Sequence, residues 1–270
     1  MKIIQVSDLH LTDGALFYGI DPLDRIGAFI ESVKQEHGDA ALVVATGDLA
    51  HGGDGQAYRL LKTALAKLPM PTALLVGNHD RREAFRSVFA DAPVDRYGFV
   101  QWTLRIGELR LIGIDTARRD GANGAGTFCT DRAVWLQDQL LADPGRPTLL
   151  FAHHPPMSVG IEVQDTSRVH FSQHTIDALK QANLLGLFCG HVHRSIDAVW
   201  QGLTVSICGA LVHAVGFDPV ANGESLVLTD EPPSYSAILV NGTDLVVHRA
   251  YPVGTHRIGS FSPRSDTSRT

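Results

Sequence analysis

The chain has 270 residues, of which 44% are hydrophobic and 19% are charged. This composition is typical of a folded globular protein and excludes collagen, a coiled coil and a largely disordered chain. The 23 Lys and Arg residues against 29 Asp and Glu residues give a formal net charge of −6. A chain of this charge has no general attraction for nucleic acid or an anionic membrane, so we expect neither polymeric nucleic acid nor a membrane as its partner.

The start of the chain and its cysteines give no indication of export. The first ten residues, MKIIQVSDLH, reach Ser7 and Asp8 before a long apolar run has formed, which argues against a signal peptide. No apolar run approaches the roughly 20 residues that a membrane-spanning helix needs. Three scattered cysteines are too few for a disulfide framework or a thiolate metal site. We therefore predict a cytoplasmic protein.

The first half of the sequence alternates β-branched segments with segments of helical periodicity. Strands are predicted at residues 2–7, 41–46 and 72–76, and helices at 22–33, 54–65 and 83–89. Asp21 followed by Pro22 is typical of a helix start, and Asp54 is a candidate cap for the second helix. The β-α-β-α-β order indicates a parallel sheet with right-handed crossover connections.

The pattern changes from Val100 onward. A hairpin is predicted at 100–106 and 109–115, followed by helices at 131–141 and 172–181 and strands at 148–152 and 185–189. The remainder, to about Tyr251, consists of short strands broken by Gly, Asn and Pro, which favours a second, mixed sheet. We expect one domain over residues 1–254, built on two packed sheets, and a C-terminal tail over residues 255–270 that is rich in Ser, Thr and Arg.

Five polar clusters come directly after predicted strands. They are Asp8-Leu9-His10, Gly47-Asp48, Gly77-Asn78-His79-Asp80, His153-His154-Pro155-Pro156 and Gly190-His191-Val192-His193. Ligands of open α/β sheets bind just beyond the carboxyl ends of the strands, so these clusters can converge on one crevice. The glycines at 47, 77 and 190 would let the backbone turn sharply and approach a bound group closely.

Seven side chains of these clusters form a candidate donor set for metal ions. They are Asp8, His10, Asp48, Asn78, His153, His191 and His193. Their oxygen and imidazole donors suit Mn, Fe or Zn. In an extended chain, the first and third residues of Asp-X-His and His-X-His would lie on the same side. Seven donors exceed the needs of one four-coordinate ion but suffice for two ions that share a carboxylate, an arrangement that clamps the attacking and leaving oxygens of a phosphoryl centre.

Charge counting connects this donor set to an anionic substrate. Two dications carry four positive charges, of which Asp8 and Asp48 remove two, so a loaded site would be about doubly positive. Such a local charge would attract a phosphodiester anion although the whole chain carries −6. Metal dependence then follows from the charge balance.

In chain order, the motifs D-x-H, GD, GNHD, HHPP and GHVH resemble those of the calcineurin-like metallophosphoesterases over about residues 1–200. GNHD, HHPP and FCGHVH are similar to the bacterial branch of class III cyclic-nucleotide phosphodiesterases and glycerophosphodiesterases. The later segment CGALVHAVGFDP resembles the glycerophosphodiesterase members. The resemblance implies the four-layer α/β/β/α fold, in which a two-sheet β-sandwich is flanked by helices.

The resemblance also implies roles for single residues. Asp8, His10 and His193 would hold the first divalent metal ion, and Asn78, His153 and His191 the second, with Asp48 bridging the two. His79 would contact the phosphate beside Asn78 and protonate the leaving group, so His79 and Asp48 are the candidate catalytic residues. Asn78 and His79 would also bind the substrate, and Tyr18 and His213 would line its pocket. Residues 210–254 would supply the late strands and a cap or dimerisation region of a homo-oligomer.

These observations predict a dinuclear metal-dependent phosphodiesterase, a phosphoric diester hydrolase of small soluble diesters such as cyclic nucleotides or glycerophosphodiesters. Hydroxide bound to metal would attack phosphorus directly. One alternative is a phosphomonoesterase, because a dianionic monoester gains more from cationic contacts, and Arg81 and Arg82 directly follow GNHD. The other alternative is a non-catalytic scaffold, which we would expect to have lost some of the seven donors.

Three further polar residues allow two interpretations each. The side chain of His154 should point away from that of His153, which favours a packing or supporting role. Asp80 could cap the following helix or orient a ligand. His51 could reach the pocket or belong to a solvated loop.

Overall fold

The structure is a computed structural model that describes residues 1–118, 124–217 and 225–253. The tail predicted over residues 255–270 lies outside the described residues, and the division into a domain and a tail stays a prediction. Among the described helices, none is long and apolar enough to cross a membrane.

The described residues form helices and strands in the order that the sequence predicts for the first half. The helices are α1 (Pro22–Glu36), α2 (Gly55–Leu65), α3 (Arg82–Val88), α4 (Thr130–Leu141), α5 (Glu162–Asp165) and α6 (Gln173–Gln181). The strands are β1 (Lys2–Val6), β2 (Leu42–Thr46), β3 (Thr72–Leu75), β4 (Trp102–Ile106), β5 (Leu109–Gly113), β6 (Thr148–Phe151), β7 (Leu184–Cys189), β8 (Ile196–Trp200), β9 (Leu203–Ile207), β10 (Ala214–Val215), β11 (Leu228–Thr229), β12 (Tyr235–Asn241) and β13 (Asp244–Ala250).

Two mixed sheets form the centre of the molecule. The first has the strand order β13-β12-β1-β2-β3, and its strands β1, β2 and β3 run parallel. The second has the order β4-β5-β6-β7-β9-β8, in which β5, β6, β7 and β9 run parallel. Strands β10 and β11 form a separate antiparallel pair. Parallel strands end at the same edge of a sheet, so each sheet collects several carboxyl ends at one place.

Local sequence signals explain where the first two helices begin. The Asp21 carboxylate accepts a hydrogen bond from the backbone N–H of Leu23 at 2.8 Å, and Pro22 occupies the first helical position. The Asp54 carboxylate accepts the N–H of Gln56 at 2.6 Å. Both predicted caps are therefore confirmed, because each satisfies backbone donors that a helix start leaves unpaired.

Three apolar clusters hold the layers together. The outer face of the first sheet packs against α1 and α2, with Phe29 and Leu61 fully buried there. The facing surfaces of the two sheets share a second cluster that includes Ile3 and Phe188. Helices α4 and α6 cover the other face of the second sheet, where Leu136 is buried. This order of layers is the predicted α/β/β/α fold.

The late strands depart from the sequence interpretation. Strands β8 and β9 join the second sheet as expected, but β12 and β13 do not. Strand β12 pairs antiparallel with β1, where Ile238 lies opposite Ile3, and so completes the first sheet. The prediction that the whole remainder forms part of a second sheet is therefore wrong for these two strands. Alternating apolar residues predict a strand but carry no information about its distant partner.

One tight contact in the second sheet yields a stability test. Gly113 lies opposite Trp102, whose indole N–H donates to the Leu74 carbonyl at 2.9 Å and which is only 3% exposed. A methyl group at position 113 would overlap the indole ring. We expect Gly113→Ala to lower the free energy of unfolding by about 1–3 kcal/mol, measured by urea denaturation.

The matched control is Gly27→Ala in α1, where a methyl group would meet no atom within 4 Å. We expect this control to raise the free energy of unfolding by about 0.5–1 kcal/mol, because alanine favours the helix. A Gly113→Ala protein as stable as the unmodified chain would show that Trp102 is not fixed in place by its neighbours.

Candidate metal centre

Backbone and carboxylate hydrogen bonds bring the ends of four strands together. The N–H of Asp8 donates to the Gly47 carbonyl at 3.1 Å, which joins the turns after β1 and β2. The N–H of His79 donates to the Asp48 carboxylate at 2.8 Å, and this bond attaches the turn after β3. The N–H of His191, after β7, donates to the Asp8 carboxylate at 2.9 Å. The predicted clusters thus converge across both sheets.

The backbone at these strand ends is left-handed rather than extended. Positive φ angles occur at Asp8 (55°), His10 (43°), Asp48 (50°), His191 (72°) and His193 (57°). The extended-chain reason for placing the Asp-X-His and His-X-His side chains together is therefore wrong, although the side chains do converge. A left-handed residue other than Gly costs about 1 kcal/mol or more, and such strain concentrates at functional sites.

Glycines accommodate the crowding around Asp48. Gly77 passes so close that a Cβ atom there would overlap the Asp48 carboxylate. Gly47 has a φ of 103°, and a Cβ atom on it would lie 2.6 Å from Nδ1 of His153. The predicted need for close backbone approach at these two positions is confirmed, because no side chain fits there.

Four of the predicted donors form one group. The donor atoms of Asp8, His10, Asp48 and His193 all lie within 4.8 Å of one another. Nε2 of His193 is 2.9 Å from Nε2 of His10 and 3.5 Å from Oδ1 of Asp8. Nε2 of His10 is 3.6 Å from Oδ2 of Asp48. All four residues are buried, and their donor atoms surround one point.

The other three donors form a second group beside the first. Oδ1 of Asn78 lies 3.0 Å from Nε2 of His153 and 3.0 Å from Nδ1 of His191. Nε2 of His153 is 3.4 Å from Oδ2 of Asp48. Asp48 Oδ2 therefore lies between the two groups, as the predicted bridging role requires. The assignment of all seven residues as ligands stays a prediction.

For three histidines of the centre, the hydrogen bond made by one ring nitrogen decides whether the other nitrogen has a lone pair for a cation. Nδ1 of His153 donates to the Thr46 carbonyl at 2.8 Å, and Nδ1 of His193 donates to the His213 carbonyl at 3.1 Å. A carbonyl only accepts, so the proton of each neutral ring is at Nδ1 and Nε2 faces the cluster with a free lone pair. His191 is held at Nε2 by the Ser167 hydroxyl at 2.6 Å, which leaves Nδ1 for the cluster.

The carboxylates of the centre need positive charge. Asp8 is 0% and Asp48 2% exposed, and among the described residues only histidines lie within ion-pair distance of them. Burial raises the pKa of Asp8 to about 7. Burial also opposes ionisation of Asp48, but the charge and hydrogen bond of His153 hold the Asp48 pKa well below its usual range.

Two imidazoles of the centre are held neutral by burial, and a third, His153, is held protonated by Asp48. Burial lowers the pKa of His191 to about 3 and that of His193 to about 4. Both rings are therefore neutral near pH 7, and their lone pairs are available. Burial disfavours a charged His153 too, but Asp48 outweighs burial and raises the His153 pKa to about 9. Buried carboxylates, an amide oxygen and neutral imidazoles are a donor set that fits divalent cations.

His79 and His51 lie together at the edge of the centre. Nδ1 of His79 donates to the His51 carbonyl at 3.0 Å, and the two rings stack with centroids 4.9 Å apart. Nδ1 of His51 is 3.2 Å from Nδ1 of His10. Of the two interpretations of His51, the structure therefore favours the one in which it reaches the pocket. Its position three residues after Asp48 was the available sequence signal.

A cavity of about 540 Å³ opens over the two groups, and both predicted pocket residues line it. Tyr18 is 72% exposed, and its ring lies 5.3 Å from that of His213. The His213 ring in turn lies 4.6 Å from that of His193. Phe17 stacks on His10 at 5.1 Å and so fixes the plane of that imidazole. The substrate-binding roles of Tyr18 and His213 stay predictions.

Asp80 and His154 support the centre from behind. The Asp80 carboxylate accepts the backbone N–H groups of Leu49 at 3.1 Å and Gly77 at 2.8 Å, so it ties the turns after β2 and β3 together. It does not cap α3, whose first flanking residue is Arg81. The ring of His154 is held between the Thr116 hydroxyl at 2.8 Å and the Gly124 carbonyl at 3.0 Å, which agrees with its predicted supporting role.

Some supporting residues were not found from the sequence. Ser167 and the Thr46 carbonyl fix the orientation of His191 and His153, and the His213 carbonyl fixes that of His193. Ser167 belongs to no motif, and a backbone carbonyl has no sequence signature. These contacts arise only when the two sheets pack together.

A two-sheet α/β sandwich with clustered His, Asp and Asn side chains at its strand ends defines a metallophosphoesterase-type hydrolase. Residues 1–195 match the family described as calcineurin-like phosphoesterase. The chain belongs to this family.

Two curated relatives match almost the whole chain. A probable cyclic nucleotide phosphodiesterase of Rhodopseudomonas palustris is 38% identical over 252 residues, which cover 92% of each chain. A probable glycerophosphodiester phosphodiesterase of Arcobacter nitrofigilis is 27% identical over 256 residues, or 93% of each chain. Among solved structures, a purple acid phosphatase from yellow lupin superposes with a TM-score of 0.63 at 14% identity, over 93% of this chain and 51% of that chain. The lupin structure supports the fold alone.

The two donor groups predict how metal content changes in variants. We expect the unmodified chain to bind about two equivalents of Mn²⁺, and His193→Ala and His191→Ala to keep about one each, because each variant disrupts one group. Asp48→Asn should bind less than either, since Asp48 faces both groups. Metal content after equilibrium dialysis is measured by mass spectrometry.

Asp54→Asn, which changes a carboxylate outside the centre and retains a helix cap, is the control and should bind as the unmodified chain does. If His193→Ala lost no metal, or if Asp48→Asn kept both equivalents, the two-group arrangement would be wrong.

Proposed function

We propose that the protein is a dinuclear metal-dependent phosphodiesterase that hydrolyses small phosphodiesters, with cyclic nucleotides and glycerophosphodiesters as the leading substrates. The observation that carries the proposal is the position of Asp48 between two groups of donor atoms in a cavity of about 540 Å³. The two relatives named for these diester classes support it, since they match the chain over more than nine-tenths of its length.

The lining of the cavity favours a diester over a monoester. A monoester is a dianion near neutral pH, and it gains more than a monoanionic diester from Arg or Lys contacts. None of the described residues that line this cavity is Arg or Lys. Arg82, a candidate cation for a monoester, is instead bonded to both oxygens of Asp115 at 2.7 Å. A phosphomonoesterase therefore remains the less favoured alternative.

We propose that His79 supplies the proton of the reaction. In hydrolysis, water adds its oxygen to phosphorus, the bond from phosphorus to the leaving oxygen breaks, and that oxygen takes up a proton. Two divalent cations held by the seven donors would supply the Lewis acidity that activates water. Nδ1–H of His79 donates to the His51 carbonyl, so Nε2 is the ring nitrogen left for the substrate. As an imidazolium, His79 would give its Nε2 proton to the leaving oxygen and keep the proton at Nδ1.

A scaffold without activity fits the site less well. A protein that used only its surface would not need to keep five left-handed residues and two buried carboxylates at one place. Such strain and buried charge concentrate at functional sites, and bound cations would offset the cost of the charge. A non-catalytic scaffold would be expected to have lost some of the seven candidate metal ligands, and all seven are present.

We propose further that the metal ions are Mn, Fe or Zn and that the protein is cytoplasmic. The nitrogen and oxygen donors support these metals equally, so the set does not choose among them. Free thiols at Cys129, Cys189 and Cys208 are compatible with a reducing compartment. Assembly into a homo-oligomer, with residues 210–254 as cap or interface, stays part of this proposal.

Metal removal tests the proposal directly. We expect exhaustive chelation to abolish hydrolysis of bis(p-nitrophenyl) phosphate, and added Mn²⁺ to restore it, because the water cannot be activated without the cations. On the restored protein, kcat/KM should be higher for this diester than for p-nitrophenyl phosphate. Full activity after complete metal removal would refute the proposal, and a preference for the monoester would establish the alternative substrate class.

The role of His79 is tested by varying the leaving group. We expect His79→Ala to lower kcat by about 10²–10⁴-fold for diesters with an alkyl alcohol as leaving group, because such an alcohol must be protonated as it departs. Hydrolysis of bis(p-nitrophenyl) phosphate should fall much less, since p-nitrophenolate leaves without a proton.

His174→Ala, at an exposed position in α6, serves as the control and should leave both rates unchanged. An equal loss for both leaving groups would mean that His79 binds phosphate without acting as the acid.

A further inference from the structure

A second and larger cavity adjoins the metal centre. Its volume is about 790 Å³, and His51, Asn78 and His79 line both this cavity and the one over the donor groups. The three residues therefore form a shared wall with an opening on each side. We call the larger cavity the arginine cleft, because Arg81, Arg82, Arg86 and Arg118 line it.

The arginines of this cleft differ in what they contact. Arg82 is fully engaged, since its guanidinium bonds both oxygens of Asp115 at 2.7 Å and the carbonyl of Ala117 at 2.7 Å. Arg81 and Arg86 are exposed, and in the described ranges no residue pairs with or hydrogen-bonds to their guanidinium groups. Two cationic side chains thus face the cleft with their donors free.

The acidic groups of the cleft do not cancel this charge. Asp80 already accepts hydrogen bonds from Gly77, Leu49 and the Tyr58 hydroxyl, which fix its carboxylate in the turn. Glu83 is the remaining carboxylate among the described lining residues. Four arginines line the cleft against these two carboxylates, and Asp115 offsets Arg82, so one positive charge remains in a chain whose net charge is −6. A cleft with a local positive charge attracts anionic ligands.

The shared wall indicates which part of a substrate enters the cleft. His79 lies in that wall, and it is the residue proposed above to protonate the leaving oxygen. In the proposed reaction the scissile phosphorus would lie over the donor groups, and the leaving alcohol would then extend past His79. A cavity of about 790 Å³ is large enough for a nucleotide-sized group.

We propose that the arginine cleft binds a second phosphate group carried by the leaving alcohol of the diester, with Arg81 and Arg86 as its ligands. The cleft then adds a further class to the substrates named above, small linear diesters that carry a terminal phosphate on the leaving side. Guanidinium groups match phosphate oxygens in charge and in hydrogen-bond geometry. This proposal rests on the proposed phosphodiesterase function, which it makes more specific.

The test compares the deoxydinucleotide dApdA with its 5′-phosphorylated form pdApdA. Binding is measured first on the chelated, metal-free protein by calorimetry at low salt. We expect pdApdA to bind about tenfold more tightly than dApdA, and this preference to disappear in the Arg81→Gln/Arg86→Gln double variant. Arg105→Gln, an exposed arginine on β4, is the control and should keep the preference.

The products of the metal-loaded protein test the orientation. If the phosphorylated nucleoside leaves, water adds to phosphorus and the bond to the 3′ oxygen breaks, so pdApdA gives only deoxyadenosine 5′-monophosphate. Formation of deoxyadenosine with deoxyadenosine 3′,5′-bisphosphate would overturn the assignment of the cleft to the leaving side.

The two proposals fail in different ways. Equal binding of the two dinucleotides, no saturable binding of either below about 1 mM, or an unchanged preference in the double variant would overturn the arginine cleft as a phosphate site. If the metal-loaded, unmodified chain did not hydrolyse bis(p-nitrophenyl) phosphate at all, the proposed phosphodiesterase function would be overturned instead. The double variant should retain that hydrolysis, because the substrate carries no second phosphate.

Discussion

Two carboxylates, those of Asp8 and Asp48, are buried among imidazole rings, and no Lys or Arg of the described residues lies close enough to neutralise them. Isolated buried charge is costly, so this arrangement requires positive charge at the same place. Without cations, protons supply it, and the pKa of His153 rises to about 9 beside Asp48. Divalent cations would supply it better, because the other ring nitrogens are already held neutral. The charge balance of these two residues therefore determines what the rest of the centre can bind.

The fold provides the rigidity that such a cluster needs. Each donor follows a buried strand, and bonds such as Asp8 N–H to the Gly47 carbonyl join one turn to the next. Asp80 ties further turns together from behind, and the apolar layers on both sides of each sheet fix the strands. Left-handed backbone at five donors is tolerated because this surrounding structure determines it. The stability of the packed layers thus allows the strained backbone at the centre to persist.

The sequence predicted those features that depend on neighbouring residues. Asp21 and Asp54 cap their helices, and the polar clusters follow the predicted strands, because caps and strand ends are local properties. The pairing of β12 with β1 was not predicted, since it joins residues more than 200 positions apart. The same holds for Ser167 behind His191, a contact between distant segments. The convergence of Asp8 and His10 was expected for the wrong reason, because their backbone is left-handed rather than extended.

The cavity over the donor groups and the arginine cleft differ in charge, and this difference would separate the reacting centre from the part that selects the substrate. Over the donor groups, no Arg or Lys lines the described wall, so the positive charge acting on a phosphoryl group there would come mainly from the cations, and the lining favours a monoanion. In our proposal, the arginines beyond His79 would contact a group attached to the phosphorus rather than the phosphorus itself. Had Arg81 faced the donor groups, it would have competed with the cations for the same oxygens and would have favoured monoesters. From the neighbouring cleft, Arg81 would let the chain select a substrate by its distant phosphate without altering the reacting centre, as we propose.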